Sequence, residues 1–189
     1  MTQAPATEQR EAYDVFEAMR RRRMHRLFTE EPVSRELLER LVYAAGRAQV
    51  ARAEIRHLVV VSDPRLVWTL RQVCPGFIAN ATAAIVVCSD VERAEALVGT
   101  RGAEHVARLD AGSAAGYMAL AAPALGIGIC VVTSWNESAV QAIFGLPAHI
   151  RPEIMVAVGH PIPNPPRGMR RFDPIVHENR FGEPWQEDA

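Results

Sequence analysis

The sequence predicts an α+β fold in which a mixed β-sheet is flanked by helices, and two observations favour it. Four short apolar runs alternate with segments whose apolar residues recur at helical spacing. Residues 111–132 carry no charge and are rich in small side chains, which is typical of a buried helix with close neighbours. The same alternation could build a doubly wound dinucleotide-binding fold. However, the first strand runs into Ser62-Asp63-Pro64, where a G-x-G-x-x-G loop would have to lie.

Two amphipathic helices are predicted near the start of the chain. Residues 7–22 place apolar side chains at helical spacing, namely Ala12, Val15, Phe16 and Met19. A second helix begins at Ser34, a residue type that caps helix N-termini, and its apolar face is expected to be buried. That face is formed by Leu37, Leu38, Leu41, Val42 and Ala45.

The four apolar runs are predicted to be strands at residues 58–62, 85–89, 129–133 and 153–159. Asp63-Pro64 ends the first strand and starts a helix, and a short helix over residues 91–98 follows the second. After the third strand, Asn136 can cap a helix that ends at Gly145.

Residues 109–128 are predicted to form a central helix. Asp110 is an N-cap residue type whose carboxylate suits the positive end of the helix dipole, and Gly126 and Gly128 can end the helix. A membrane span is the alternative, but alanine and glycine are weakly hydrophobic and Pro123 interrupts the run. The sequence therefore predicts no membrane partner.

Composition excludes several classes of function. The formal net charge is −1, which gives no electrostatic reason to expect nucleic acid as a partner. The chain has no lysine, which excludes Schiff-base chemistry and a P-loop lysine. The six histidines show no pair at metal-ligand spacing, so no metal site is expected. Three scattered cysteines and a first segment without a secretory signal predict a cytoplasmic protein.

The segment from Arg20 to Phe28 is the main candidate binding site. Several arginines at a helix end could hold a phosphate through charge-assisted hydrogen bonds of about 1.5–3 kcal/mol each. The alternative is a solvated helix terminus in which the arginines complement the helix dipole. Both interpretations stay open on these residues alone.

The ordered motifs of the chain resemble those of the FMN-dependent nitroreductase family over nearly its whole length. The series opens with Arg22-Arg23-x-x-Arg26-x-Phe28, followed by Pro32-Val33, Leu37-Leu38-Glu39-Arg40-Leu41 and Ala44-Ala45. It continues with Ala124-Leu125-Gly126, Phe144-Gly145-Leu146-Pro147, Val158-Gly159-His160-Pro161 and Arg170-Arg171. The order and spacing of the series carry the resemblance, and no single motif is specific.

The resemblance implies FMN as the cofactor and a set of residues that bind it. In the family, the opening motif and a late basic pair hold the FMN phosphate. Backbone N–H groups of the loop after the third strand meet the reactive edge of the flavin, where fixed donors stabilise developing charge. On the residues alone, that loop could equally be an ordinary strand-to-helix turn. The implied FMN-binding residues are Arg22, Arg23, Met24, Arg26, Val132, Thr133, Ser134, Arg170 and Arg171. No catalytic side chain is implied.

Two parts of the sequence depart from the family pattern. Met24 stands where the opening motif usually has serine, so one phosphate-binding hydroxyl is missing. In the family, a segment with a serine, an asparagine and a glutamine reaches FMN from the other subunit. In this chain, the matching positions hold Val50, Ala53 and Ile55. We expect loose cofactor binding unless Arg52 or Arg56 supplies replacement donors.

The resemblance implies an FMN-dependent NAD(P)H oxidoreductase that reduces nitroaromatic, quinone or similar electron-poor acceptors by a two-step hydride cycle. Residues 1–189 are expected to form one domain that works as a homodimer, with the central helix at the interface. Residues 160–189 would form an extended arm that crosses to the partner subunit. Two alternatives stay open. One is a family member with weak or lost flavin binding that acts as a binding or regulatory dimer, and the other is a flavin-using dehalogenase or flavin-degrading enzyme.

Overall fold

The computed structural model describes residues 14–77, 80–162 and 175–185. Its sheet has four strands in the order β1-β2-β4-β3, and all three neighbouring pairs are antiparallel. The strands are β1 Arg56–Val61, β2 Ala83–Asp90, β3 Gly128–Val132 and β4 Ile150–Gly159. The four predicted strands are confirmed. Parallel pairing in the described part of the chain is limited to an isolated bridge between Met24 and Ile129.

Helices cover both faces of the sheet. Within the described residues, the α-helices are α1 Val15–Arg21, α2 Arg35–Arg47, α3 Pro64–Val73, α4 Val91–Val98, α5 Ala107–Ala124 and α6 Glu137–Phe144. Ile85 and Val87 of β2 belong to the apolar cluster with α2 and α5. Val86 and Cys88 belong to the cluster with α3 and α6. This alternation follows from the two-residue period of a strand and builds a three-layer α+β fold.

Side-chain caps define three of the helices, and the sequence predicts two of them, Ser34 and Asn136. Ser34 Oγ accepts a hydrogen bond from the Leu37 amide at 3.3 Å, and Asp63 Oδ1 accepts one from Arg65 at 2.7 Å. Asn136 starts α6 in the same way. Gly145, at φ 60°, ends α6 in the left-handed conformation that glycine adopts most easily. Short-range chemistry therefore sets these boundaries, as the sequence predicts.

The predicted start of the central helix is wrong. α5 continues from a π-helical turn at Gly102–Val106, so Asp110 lies inside the helix and does not cap it. Its buried carboxylate instead accepts a hydrogen bond from the Ala51 amide at 2.7 Å. The Asp110 carboxylate therefore bonds a backbone amide 59 residues away and not an amide of its own helix terminus. No helix among the described residues is long and apolar enough to cross a membrane.

Apolar side chains of α1 and α5 remain exposed in a single chain. Val15, Phe16 and Met19 of α1 are 52%, 64% and 50% exposed, and Tyr117 of α5 is 48% exposed. Residues 7–13 of the predicted first helix lie outside the described residues. The predicted apolar face of α1 therefore exists, but the subunit itself does not bury it.

The predicted C-terminal arm is described only in part. Residues 163–174 and 186–189 lie outside the described residues. Between them, Ile175 and Phe181 are 89% and 94% exposed. Residues 175–185 thus have little contact with the core of their own subunit, whereas residues 160–162 are bonded to the opening segment.

Candidate functional site

The opening motif is attached to strand β3. The His25 amide donates a hydrogen bond to the Ile129 carbonyl at 2.9 Å, and the Val131 amide lies 3.1 Å from Met24 Sδ, a weak acceptor. These contacts bring two separate groups of predicted site residues near one strand, because β3 leads directly into the predicted flavin-contacting loop. Met24 therefore contacts the edge of β3 through its sulfur.

Three arginines of the opening segment stabilise the end of α1. Arg20 and Arg21 pair with Glu17 at 2.6 and 2.5 Å, and hydrogen bonds from Arg21 and then Arg20 lower the pKa of the Glu17 carboxyl. Arg23 Nη1 donates to the carbonyls of Arg20 and Arg22 at 2.6 and 2.9 Å. These three side chains therefore fit the interpretation in which the arginines complement the C-terminal end of the helix.

Arg22 and Arg26 differ from their neighbours. Both are exposed, and neither guanidinium group makes a hydrogen bond or ion pair with a described residue. Arg26 lies near Cys130 of β3: burial raises the pKa of that thiol, and the positive charge of Arg26 partly offsets the rise. Two cationic groups without internal partners suit a dianionic phosphate, because an anion would not have to displace an existing ion pair.

The loop after β3 offers free backbone donors. Val132 is buried at the end of the strand, whereas Thr133 and Ser134 are exposed. Neither the Thr133 amide nor the Ser134 amide donates a hydrogen bond within the described part of the chain. The Ser134 carbonyl, in contrast, accepts a hydrogen bond from the Gly76 amide at 3.2 Å. The loop is therefore held through its carbonyl while its amides remain available.

A cleft of about 440 Å³ opens between this loop and the end of α3. Its walls combine apolar and polar side chains, including Val73, Pro75 and Trp135 with Gln72, Ser134 and Asn136. Apolar walls with a few polar groups are typical of small-molecule and cofactor sites.

Arg56 is not available as a replacement donor for the cofactor, so that expectation is wrong. Its guanidinium group donates to the carbonyls of Ala45 at 2.9 Å, Ala48 at 3.3 Å, Gln49, and Asp110 at 2.9 Å. Burial lowers the pKa of Arg56, and the nearby Asp110 charge partly offsets the decrease. The side chain instead fixes the end of α2 to α5.

The other substituted positions of this segment have different surroundings. Ile55 is 2% exposed and packs in a small cluster with Ala94, Ala103 and Ala107, so this position is part of the core. Val50 is half-buried and Ala53 is exposed. Arg52 is exposed and remains a candidate donor.

Arg170 and Arg171 lie outside the described residues, so their predicted role stays a prediction. Sequence reasoning missed Asn80, whose side chain holds the backbone of Phe28 with two hydrogen bonds. It also missed the pairing of Glu17 with Arg20 and Arg21. Their i,i+3 and i,i+4 spacings were a readable signal for that pairing.

Comparison with known proteins identifies the family. The protein-family model with the description "Nitroreductase family" matches residues 47–160 of this chain. A curated relative named FMN reductase (NADPH), from Bacillus subtilis (strain 168), is 27% identical over 165 residues, which cover 78% of this chain and 66% of the relative. The chain therefore spans just under two thirds of that relative's length.

Two solved structures extend the comparison. The NfrA1 nitroreductase from B. subtilis has a TM-score of 0.75 and 25% identity, and the match covers 89% of this chain and 75% of that chain. An FMN-dependent nitroreductase from Clostridium difficile R20291 has a TM-score of 0.73 and 23% identity, with coverage of 87% and 98%. The latter likeness concerns the fold alone. Because the family model matches more than half of its residues, the chain belongs to the nitroreductase family.

Proposed function

We propose that this chain is an FMN-dependent NAD(P)H oxidoreductase that reduces nitroaromatic, quinone or similar electron-poor acceptors by a two-step hydride cycle. The observation that carries the proposal concerns Arg22 and Arg26, which lie on a segment bonded to β3. Neither of their guanidinium groups makes a hydrogen bond or ion pair with a described residue. The same strand ends in a loop with free amides at Thr133 and Ser134. Family membership and a relative named FMN reductase (NADPH) support the proposal.

The phosphate would be held mainly by Arg22 and Arg26. Both can form charge-assisted hydrogen bonds without breaking an internal ion pair. Arg23 would act indirectly, since its guanidinium group already caps α1. Met24 would offer the phosphate no donor, and its sulfur already accepts a weak hydrogen bond from the Val131 amide.

The reactive edge of the flavin would meet the loop after Val132. FMN, when bound, supplies the redox chemistry by accepting hydride from NAD(P)H and passing electrons to the acceptor. The amides of Thr133 and Ser134 would stabilise negative charge at that edge. Little reorganisation would be needed, because the Gly76 amide already fixes the Ser134 carbonyl. Trp135 in the cleft wall would help to exclude water.

A homodimer would complete the subunit, because the exposed apolar side chains of α1 and α5 would be covered by a second copy. We propose that residues 160–189 cross to the partner and that Arg170 and Arg171 add positive charge near the phosphate. The cytoplasmic location and the single-domain organisation stay predictions. Sedimentation at micromolar concentration should give a dimer, and a stable folded monomer would contradict this part of the proposal.

Flavin titration tests the phosphate site. Arg22→Ala or Arg26→Ala should weaken FMN binding roughly ten-fold or more, because each removes a charge-assisted hydrogen bond of about 1.5–3 kcal/mol. Riboflavin, which lacks the phosphate, should bind these variants almost as well as it binds the wild type. Arg20→Ala is the matched control, since Arg20 is paired with Glu17, and it should leave both affinities unchanged. Equal losses for FMN and riboflavin would mean that Arg22 and Arg26 act on the fold.

A flavin-free binding or regulatory dimer is the second candidate, because Ile55 is buried and Arg56 is bonded to backbone carbonyls. If FMN binds loosely for lack of polar partners, Val50→Ser combined with Ala53→Asn should tighten it. Failure of both wild type and double variant to bind FMN would favour the flavin-free dimer. Steady-state assays with nitroaromatic, quinone, halogenated and flavin substrates would separate the oxidoreductase from a dehalogenase or a flavin-degrading enzyme.

A further inference from the structure

We infer that Asn80 is a positioning residue that holds the phosphate-binding segment in register through the backbone of Phe28. The inference rests on the proposed function of that segment. Asn80 Nδ2 donates to the Phe28 carbonyl at 2.7 Å, and the Phe28 amide donates to Asn80 Oδ1 at 2.7 Å. One side-chain amide thus satisfies both backbone groups of a single residue, as a paired residue in an antiparallel strand would.

The two hydrogen bonds act close to Arg26. Upstream of Arg26, the His25 amide is bonded to β3, and downstream, the Thr29 amide donates to the His160 carbonyl at 2.8 Å. The Arg26 guanidinium group makes no hydrogen bond or ion pair with a described residue. Its direction therefore depends on the backbone at either side, and Asn80 fixes that backbone two residues away.

The Phe28 side chain adds a steric constraint on the same residue. The ring is 1% exposed, and a Cβ atom placed on Gly159 would lie 2.7 Å from ring carbons. Phe28 is consequently held by its ring on one side and by Asn80 at its backbone. A shift in its backbone would have to move a packed aromatic ring, so this residue can act as the fixed point of the segment.

Asn80 itself belongs to an anchored stretch. Arg71 of α3 donates to the Ala81 carbonyl at 2.6 Å, and Thr82 Oγ1 donates to the Glu31 carbonyl at 3.2 Å. The Asn80 side chain is exposed and fills no part of the core. Its removal should therefore loosen the Phe28 backbone while leaving the hydrophobic core intact.

The ratio of FMN affinity to riboflavin affinity tests the inference. Asn80→Ala should weaken FMN binding roughly five-fold or more, because two hydrogen bonds that orient Arg26 are lost, while riboflavin binding changes by less than about two-fold. Thr82→Val removes a hydrogen bond from the same stretch without touching Phe28, and it should leave the ratio unchanged. In an Arg26→Ala background, Asn80→Ala should have little further effect, because the two residues act in series.

Asn80→Asp provides a rescue. A protonated carboxyl group offers a donor and an acceptor as the amide does, whereas an ionised carboxylate cannot donate to the Phe28 carbonyl. FMN affinity relative to wild type at the same pH should therefore recover as the pH falls through the pKa of the new carboxyl. A general structural defect would instead make FMN and riboflavin affinity recover together, whereas the inference expects recovery of FMN affinity alone.

The outcomes separate the inference from the proposed function. If Arg26→Ala weakens FMN selectively but Asn80→Ala weakens both ligands equally or neither, the inference alone is overturned. Full additivity of Arg26→Ala and Asn80→Ala would also overturn it. If Arg26→Ala itself shows no selectivity for FMN, the phosphate site is wrong and the inference falls with it.

Discussion

Replacement of Arg56 by alanine should destabilise the protein by about 3–5 kcal/mol. The side chain donates to four backbone carbonyls, of which those of Ala45 and Asp110 are bonded at 2.9 Å. A hydrogen bond from a charged donor contributes about 1.5–3 kcal/mol, so these two account for about 3 kcal/mol or more. The carbonyls of Ala48 and Gln49 lie just beyond α2, where water can replace the lost donor, so they add less.

Urea denaturation followed by far-UV circular dichroism would measure the loss. Arg52→Ala is the matched control, because Arg52 is exposed in the same segment and its side chain makes no hydrogen bond or ion pair with a described residue. It should change the free energy of unfolding by less than about 0.5 kcal/mol. Both variants must be compared at one protein concentration, since the proposed homodimer would make the stability depend on it. Equal stabilities of the Arg56 and Arg52 variants would refute the argument that Arg56 joins α2 to α5.

Three further outcomes are expected. Gly159→Ala should destabilise by about 1–3 kcal/mol, because the added Cβ would lie 2.7 Å from the Phe28 ring, and unchanged thermal melting would contradict this. Asn136→Ala should cost about 0.5–2 kcal/mol by removing the cap of α6, whereas Asn136→Asp should retain most of the stability in the same melting assay. Burial raises the pKa of Cys74 to about 11 and of Cys88 to about 12, from the ordinary value of 9.0. The protonated thiols of Cys74 and Cys88 therefore contribute fully to stability below pH 9, and this contribution should be lost as the pH rises through about 11 and about 12. Alkaline unfolding of Cys88→Ala, compared with that of the wild type, would measure the loss for Cys88.

The parts of the fold that depend on neighbours in sequence were predictable. Ser34 and Asn136 cap their helices because the partner amide lies three residues away, and Gly145 ends α6 through its own backbone freedom. The four apolar runs predicted the four strands. Local chemistry decides these features, so the sequence carries them directly.

The contacts that shape the candidate site were not predictable in this way. Asp110 bonds an amide 59 residues away, Arg56 reaches the Asp110 carbonyl across 54 residues, and Asn80 holds Phe28 across 52. Each of these side chains has an ordinary local role that the sequence suggests first, such as a cap for Asp110. Only the packing of α2, α5 and the sheet brings their actual partners within reach. The family resemblance indicated the binding segment. It could not distinguish the arginines that are bonded within the chain, such as Arg20 and Arg23, from Arg22 and Arg26.

Anaerobic reduction of the FMN-loaded protein tests the central claim most directly. After addition of NADH or NADPH, we expect the visible flavin absorption to disappear with at least one donor, and to return when a nitroaromatic or quinone is added. Arg26→Ala should need more FMN for loading and should complete the same cycle once loaded. A protein that binds no FMN at saturating concentration, or whose bound FMN stays oxidised with both donors, would contradict the claim that this chain is an FMN-dependent NAD(P)H oxidoreductase.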